Sequence, residues 1–238
     1  MNELEYTSLT PAATATRPLL GLTILVVEDS RFACDAMRLL CLRSGARIRR
    51  ADCLRSARRH LQVYRPSVAI IDLGLPDGSG AELIKELAGT EPRIHALLAI
   101  SGDDTKKDLS LEAGADGFLS KPLSSLANFQ TAVLHSLPED MRPTGLRSIT
   151  DEEVDPDPLA YRDDMAHASE MLSDDADLMR LDYAAQFLRG VAKSAQDEPL
   201  REAAQLLAKA TATGTTVHSH QAKLAGLVRQ RLSEQVAI

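Results

Sequence analysis

Four apolar runs in this chain each deliver a polar side chain of a kind that handles phosphate or a divalent cation. Val68 to Ile71 leads into Asp72, and Leu22 to Val27 leads into Glu28-Asp29. Ala96 to Ile100 leads into Ser101, and Gly117 to Ser120 leads into Lys121-Pro122. A lone carboxylate after an apolar run is an ordinary turn residue. If the runs are strands of one parallel sheet, however, their C-terminal ends share a rim, where open α/β sheets bind ligands. Three carboxylates, a hydroxyl and an ammonium then meet there. Crowded carboxylates repel and do not all stay ionised cheaply unless a cation offsets them. A hard cation with oxygen ligands does so, and Mg²⁺ accepts a few carboxylates together with water and phosphate oxygens. Lys121 adds a charge able to pair with a bound anion, and Ser101 adds a donor.

The segments between the runs can hold the residues in that arrangement. Ser30 is placed to cap a helix carrying Cys34, Met37, Leu40 and Cys41 on one face and stopping near Ser44-Gly45. Ala46 to Arg50 reads as a short polar strand near an edge, and Ser56 to Tyr64 as a helix ended by Pro66. A Gly/Pro-rich loop after Asp72 leads to a short helix with Leu83, Ile84 and Leu87. Asp103 to Ala113 reads as a polar helix closed by Gly114, and the last helix of this half carries Leu126, Phe129, Val133 and Leu137. Strands alternating with helices over about 120 residues predict a doubly wound, five-stranded parallel sheet of the α/β class.

The constellation resembles the receiver domain of two-component response regulators, a flavodoxin-like fold, over about Leu20 to Leu137. Asp72 matches the phosphoacceptor of that family, and Glu28 with Asp29 the acidic pair that holds Mg²⁺. Ser101 matches the switch hydroxyl, Phe118 the switch aromatic, and Lys121 the lysine that contacts the phosphoryl group. Pro122 is the matching candidate for a cis peptide. The loop Asp72-x-x-x-Pro76-x-x-x-Gly80 also has the family's spacing. The resemblance implies Mg²⁺ held by Glu28, Asp29, Asp72 and the Gly74 carbonyl, with phosphoryl transfer from a sensor histidine kinase or a histidine phosphotransfer protein. It implies no enzyme beyond a phosphoacceptor able to lose its own phosphoryl group. Glu28 replaces the commoner aspartate. Gly74 leaves bare a place where a side chain often guards the site, so water should approach more freely. A receiver-like fold that no longer takes phosphate is the bland alternative.

The 238 residues carry a formal net charge of −7 and include no Trp. Three cysteines without a CxxC pair indicate neither a disulfide framework nor a zinc site. No apolar run approaches a membrane span, and neither signal peptide nor membrane association is expected, which places the chain in the cytoplasm. Eight arginines between Arg43 and Arg65, opposed there only by Asp52, form a basic face that is either solvated or a dock for an acidic partner.

The expected organisation is a mobile tail over 1–19, a receiver over 20–138, a proline- and acid-rich linker over 139–157 and an all-α module over 158–238. In the module, Tyr161, Met165, Ala168 and Leu172 repeat at helical spacing. Leu178, Leu181, Ala185, Leu188, Ala192 and Ala195 form a narrow seam that either pairs two copies of the chain as a homodimer or packs within its own bundle. Eleven Lys/Arg against sixteen Asp/Glu from Met141 onward, and the lack of a compact helix-turn-helix, argue against DNA. His220 precedes Lys223 by three, as in a histidine phosphotransfer helix, but Leu224 stands where such a helix needs a glycine. Output through protein–protein interaction is the reading kept, with a DNA-binding transcriptional regulator as the alternative.

Overall fold

The computed structural model describes residues 13–143 and 152–234. The first twelve residues of the expected mobile tail, and 144–151 of the expected linker, lie outside the described residues.

In chain order the first half comprises β1 (Thr23–Val27), α1 (Arg31–Ser44), β2 (Arg47–Ala51), α2 (Leu54–Val63) and β3 (Val68–Asp72). The small hairpin β4 (Gly74–Leu75) and β5 (Gly78–Ser79) follows, then α3 (Gly80–Ala88), β6 (Ala96–Ser101), α4 (Lys107–Glu112), β7 (Gly117–Ser120) and α5 (Leu126–Ser136). Five strands pair in parallel in the order β2-β1-β3-β6-β7. This is the doubly wound sheet expected from the alternating pattern. β3 and β6 are buried at every residue, as strands covered on both faces must be, whereas edge strand β2 exposes its arginines. One core packs α1 and α5 on one face, through Met37, Leu40, Phe129 and Val133; the other packs α2 and α3 on the opposite face, through Leu54, Leu83 and Ile84.

Two segments join this core from outside the alternating pattern. Leu19, at the end of the predicted tail, is fully buried, with its N–H donating to Ser44 O at 3.0 Å. Within the predicted linker, Val154 fills the α1–α5 core, and its N–H donates to Ser124 O at 2.9 Å. The same stretch of linker is also held by Leu126 N–H donating to Glu152 O at 2.9 Å and by Arg43 pairing with Glu152.

The second half is a helical module built from α6 (Pro158–Met171), α7 (Leu178–Ser194), α8 (Glu198–Thr213) and α9 (Val217–Glu234). Three aspartates open its helices. Asp157, Asp177 and Asp197 accept from the N–H groups of Leu159, Arg180 and Leu200, so part of the acidic balance is capping chemistry. Leu181, Ala185, Leu188 and Ala192 of the predicted seam are buried in the module's own core with Ala203, Ala204 and Leu207. The seam is therefore used inside the bundle. Leu178, at the first turn, is 56% exposed and takes no part.

Candidate functional site

The parallel registers bring the four strand ends together. Glu28 follows β1 and is tied to β2 by its N–H donating to Ala51 O at 2.9 Å. Asp72 ends β3 and Ser101 ends β6, and Lys121 follows β7 with its N–H donating to Ser101 O at 2.9 Å. The Lys121–Pro122 peptide is cis. Glu28, Asp72, Ser101 and Lys121 are all buried. The turn after Asp72 is fixed by a close approach: a Cβ on Gly80 would lie 1.9 Å from the Asp72 carbonyl oxygen, so only glycine fits there.

Lys121 Nζ lies 2.7 Å from Glu28 Oε2 and 2.8 Å from Asp72 Oδ2. Asp72 Oδ1 accepts from Gly74 N–H at 3.2 Å, and Glu28 Oε1 from Ser30 N–H at 3.1 Å. Glu28 Oε2 faces the ammonium at ion-pair distance and has no second hydrogen-bond donor among the described residues. Burial works against the Lys121 ammonium, but Asp72 and Glu28 outweigh it, so its pKa is raised and the charge stays. Burial also raises Glu28, with the Asp72 charge adding and Lys121 opposing. Burial and then the charge of Asp72 raise Asp29 to about 6. One ammonium thus serves more carboxylates than it can neutralise.

Oxygens of Glu28, Asp29 and Asp72 lie within 4.8 Å of one another. That spacing, the all-oxygen donor set and the excess of carboxylates over the one ammonium fit a hard divalent cation. Ser101 lines the same cavity, its Oγ accepting from Asp103 N–H at 3.1 Å. Phe118 does not line it. It pairs in register with Ala99 and packs partly buried on the α2–α3 side of the sheet.

The α-helical module closes over this rim. Gln186, Phe187, Arg189 and Gly190 of α7 line the cavity together with Asp72, Gly74 and Lys121, leaving about 20 Å³. That is room for roughly one water. Tyr183 OH donates to Asp29, and Arg189 and Lys193 pair with Asp103 and Asp104 at 3.1 and 3.3 Å. At Gly190 α7 lies against the rim at van der Waals distance: a Cβ there would meet Lys121 Nζ at 3.6 Å, and a Cβ on Gly102 would meet the Gly190 Cα at 3.5 Å, both ordinary contacts. Beside the cavity, buried Asp164 of α6 accepts from Ser30 Oγ at 2.7 Å and from the N–H groups of Arg31 and Phe32 at 2.8 and 3.1 Å. It caps a receiver helix from the other half of the chain. Phe32 packs against the module's core, edge-on to Tyr161 at 5.7 Å.

Of these module residues only Tyr161, as part of an apolar stripe, stood out in the sequence. A signal was present: Tyr183, Gln186, Gly190 and Lys193 recur at three, four and three, a second stripe on α7 beside the apolar one, with a glycine in mid-helix.

A family model, the response regulator receiver domain, matches residues 24–133. The chain is 33% identical over 99 residues to the KDP operon transcriptional regulatory protein KdpE of Escherichia coli K12, covering 42% of this chain and 44% of that protein. It is 30% identical over 100 residues to the virulence transcriptional regulatory protein PhoP of Salmonella typhimurium, covering 42% and 45%. The match thus spans a little under half the length of these relatives. Among solved structures, a putative response regulator from Chloroflexus aurantiacus aligns at 28% identity and a TM-score of 0.41, covering 43% of this chain and 86% of that one. Residues 24–133 are a response regulator receiver domain. The chain joins that domain to the helical module, and no described helix is long and apolar enough to cross a membrane.

Proposed function

We propose that the chain is a cytoplasmic response regulator that accepts a phosphoryl group on Asp72 from the phosphohistidine of a kinase or phosphotransfer protein. The observation that carries this reading is Lys121, a buried ammonium held between Asp72 and Glu28 beside a third carboxylate. A charge so placed has little structural reason to be buried, and a buried ion pair is weak evidence for stability. It suits a site where anionic charge arrives. In the transfer, an Asp72 oxygen attacks phosphorus in line while the histidine nitrogen leaves with its bonding electrons. Lys121, already 2.8 Å from the nucleophile, moves with the charge onto the phosphoryl oxygens. Mg²⁺, held by Glu28, Asp29, Asp72 and the Gly74 carbonyl, supplies further positive charge when bound. Ser101 donates its hydroxyl to a phosphoryl oxygen, and Phe118 follows into the space this leaves, changing the α4–β7–α5 face.

The helical module, from 158 onward, is the output, joined to the receiver over 20–138 through 139–157. The donor must reach Asp72 through the opening that α7 covers, and a cavity of about 20 Å³ does not hold a phosphoryl group. Phosphorylation and docking therefore compete. The signal is release of the α6–α7 face to a protein partner. Phosphoramidate with Mg²⁺ should label the wild-type chain, and Asp72→Asn should abolish labelling on a phosphate-affinity gel. Equal labelling of the variant would remove the reading. A second reading, DNA-dependent transcriptional control, is favoured by the relatives named transcriptional regulatory proteins. A salt-dependent gel shift that appears only with the phosphorylated chain would select it.

A further inference from the structure

Asp72 has one carboxylate oxygen on Gly74 N–H and the other on Lys121, at the inner end of the cavity. A phosphoryl group bonded there projects away from β3, toward α7. Hydrolysis by in-line displacement needs the attacking water opposite the leaving carboxylate oxygen, hence on the α7 side. There the chain places Gln186, whose Oε1 is 3.9 Å from the point where a Gly74 Cβ would stand. The bare place beside Asp72 is thus faced by a carboxamide from the other half of the molecule.

The orientation of that carboxamide is dictated. Gln186 Nε2 donates to Asp182 Oδ2 at 2.7 Å, and Asp182 Oδ1 accepts from Thr211 Oγ1 at 3.0 Å. An ionised carboxylate only accepts, so the amide nitrogen must face Asp182 and the oxygen is left for the cavity. An amide oxygen at this place accepts a hydrogen bond from water and turns the water's lone pair toward phosphorus. Asp182 and Gln186 stand four apart on α7, a spacing at which such pairs form readily, and Thr211 Oγ1 of α8 lies within reach of both Asp182 Oδ1, at 3.0 Å, and Ala208 O, at 2.9 Å.

We propose that Gln186 positions the water that hydrolyses the acyl phosphate on Asp72, with Asp182 as the residue that positions Gln186. This rests on the reading of Asp72 as phosphoacceptor. Water oxygen bonds to phosphorus as the phosphorus–oxygen bond to Asp72 breaks, and its electrons return to the carboxylate. The water proton passes to a phosphoryl oxygen, inorganic phosphate leaves, and Gln186 exchanges no proton. The resting cavity is too small for the phosphoryl group, so the module closes over phosphorylated Asp72 set back from its resting seat. The three torsions of the glutamine side chain span that gap. The module then ends the signal that its own release began.

The test follows acyl phosphate decay in the full chain after labelling with phosphoramidate and Mg²⁺ and removal of the donor. Gln186→Ala should decay about ten times more slowly than wild type. Asp182→Asn, whose amide no longer fixes the neighbour's orientation, should be intermediate and should add nothing in the Gln186→Ala background. Gly190→Leu, which pushes α7 off the rim, should be as slow as Gln186→Ala. Decay of Gln186→Ala at the wild-type rate or faster would overturn the proposal, because a glutamine that merely shields the site protects it from water. If the wild type labels on Asp72 and only this comparison fails, the phosphoacceptor reading survives; if the wild type does not label there, both fall.

Discussion

The two halves of the molecule place their charge differently. The receiver gathers Glu28, Asp72 and Lys121 at one rim, buried, in numbers that do not balance. The helical module has an apolar, alanine-rich core, and its one buried carboxylate among the described residues, Asp164, serves no helix of its own. Asp164 instead satisfies the first N–H groups of α1, across the boundary. The receiver's buried charge suits the incoming anion of the proposed transfer. The module's is arranged for the receiver. This makes the docked state a specific one, since a carboxylate buried at a surface built only to collapse would lack partners.

If docking depends on the fit at Gly190 and on Asp164, rather than on surface ion pairs, the two should separate in order of size. Arg189–Asp103 and Lys193–Asp104 are partly exposed and such pairs contribute about 0–1 kcal/mol. Gly190→Leu should have the largest effect, because its Cβ would already meet Lys121 Nζ at 3.6 Å and the bulk beyond it must push into the rim, an overpacking cost of about 1–3 kcal/mol. The expected outcome is an enlarged radius in small-angle scattering with both halves still folded; an unchanged radius would show that α7 is not seated through that glycine. Asp164→Ala comes next. It leaves two N–H groups of α1 and Ser30 Oγ without their acceptor, costing about 1–2 kcal/mol. Faster hydrogen exchange at the start of α1 checks it, and protection equal to wild type would mean that water replaces the cap without loss.

The contrast also explains what the sequence could reveal. Four of the receiver's strands are runs that each lead into a candidate site residue, so local pattern carried both the fold and the candidate site. Ser101 and Lys121 were legible because parallel topology alone brings strand ends together. The module's partners for the site are far from Asp72 in sequence and sit on helix faces, where one polar stripe looks like another. Tyr183, Gln186 and Gly190 acquire meaning only when α7 is laid across the rim. Leu19 and Val154 were missed for the opposite reason: single apolar residues in polar surroundings carry no period, although each fills the core.

The smallest effect should lie inside the module. Asp197 caps α8, accepts from Tyr161 OH at 3.0 Å, and pairs with Arg231 of α9 at 2.7 Å, tying three helices together. Burial pushes its carboxyl up, but the hydrogen bonds from Arg231, Leu200 N–H and Tyr161 outweigh that and hold it below the usual carboxylate range. A depressed folded-state pKa means stability that is present above the unfolded value, about 3.9, and lost as pH falls through the folded one. Asp197→Ala should therefore lower the melting temperature by an amount worth about 1 kcal/mol at pH 7, and the gap from wild type should narrow progressively as the pH falls below about 4. It should leave the scattering radius unchanged, since the side-chain hydrogen bonds of Asp197 run to Tyr161, Leu200 and Arg231 of the module itself. A gap that shows no narrowing between about pH 5 and pH 3 would assign the loss to packing around Tyr161 instead of to charge. An enlarged radius would show that the module's internal polar contacts also hold it on the receiver, and the division of labour between the two halves would not stand.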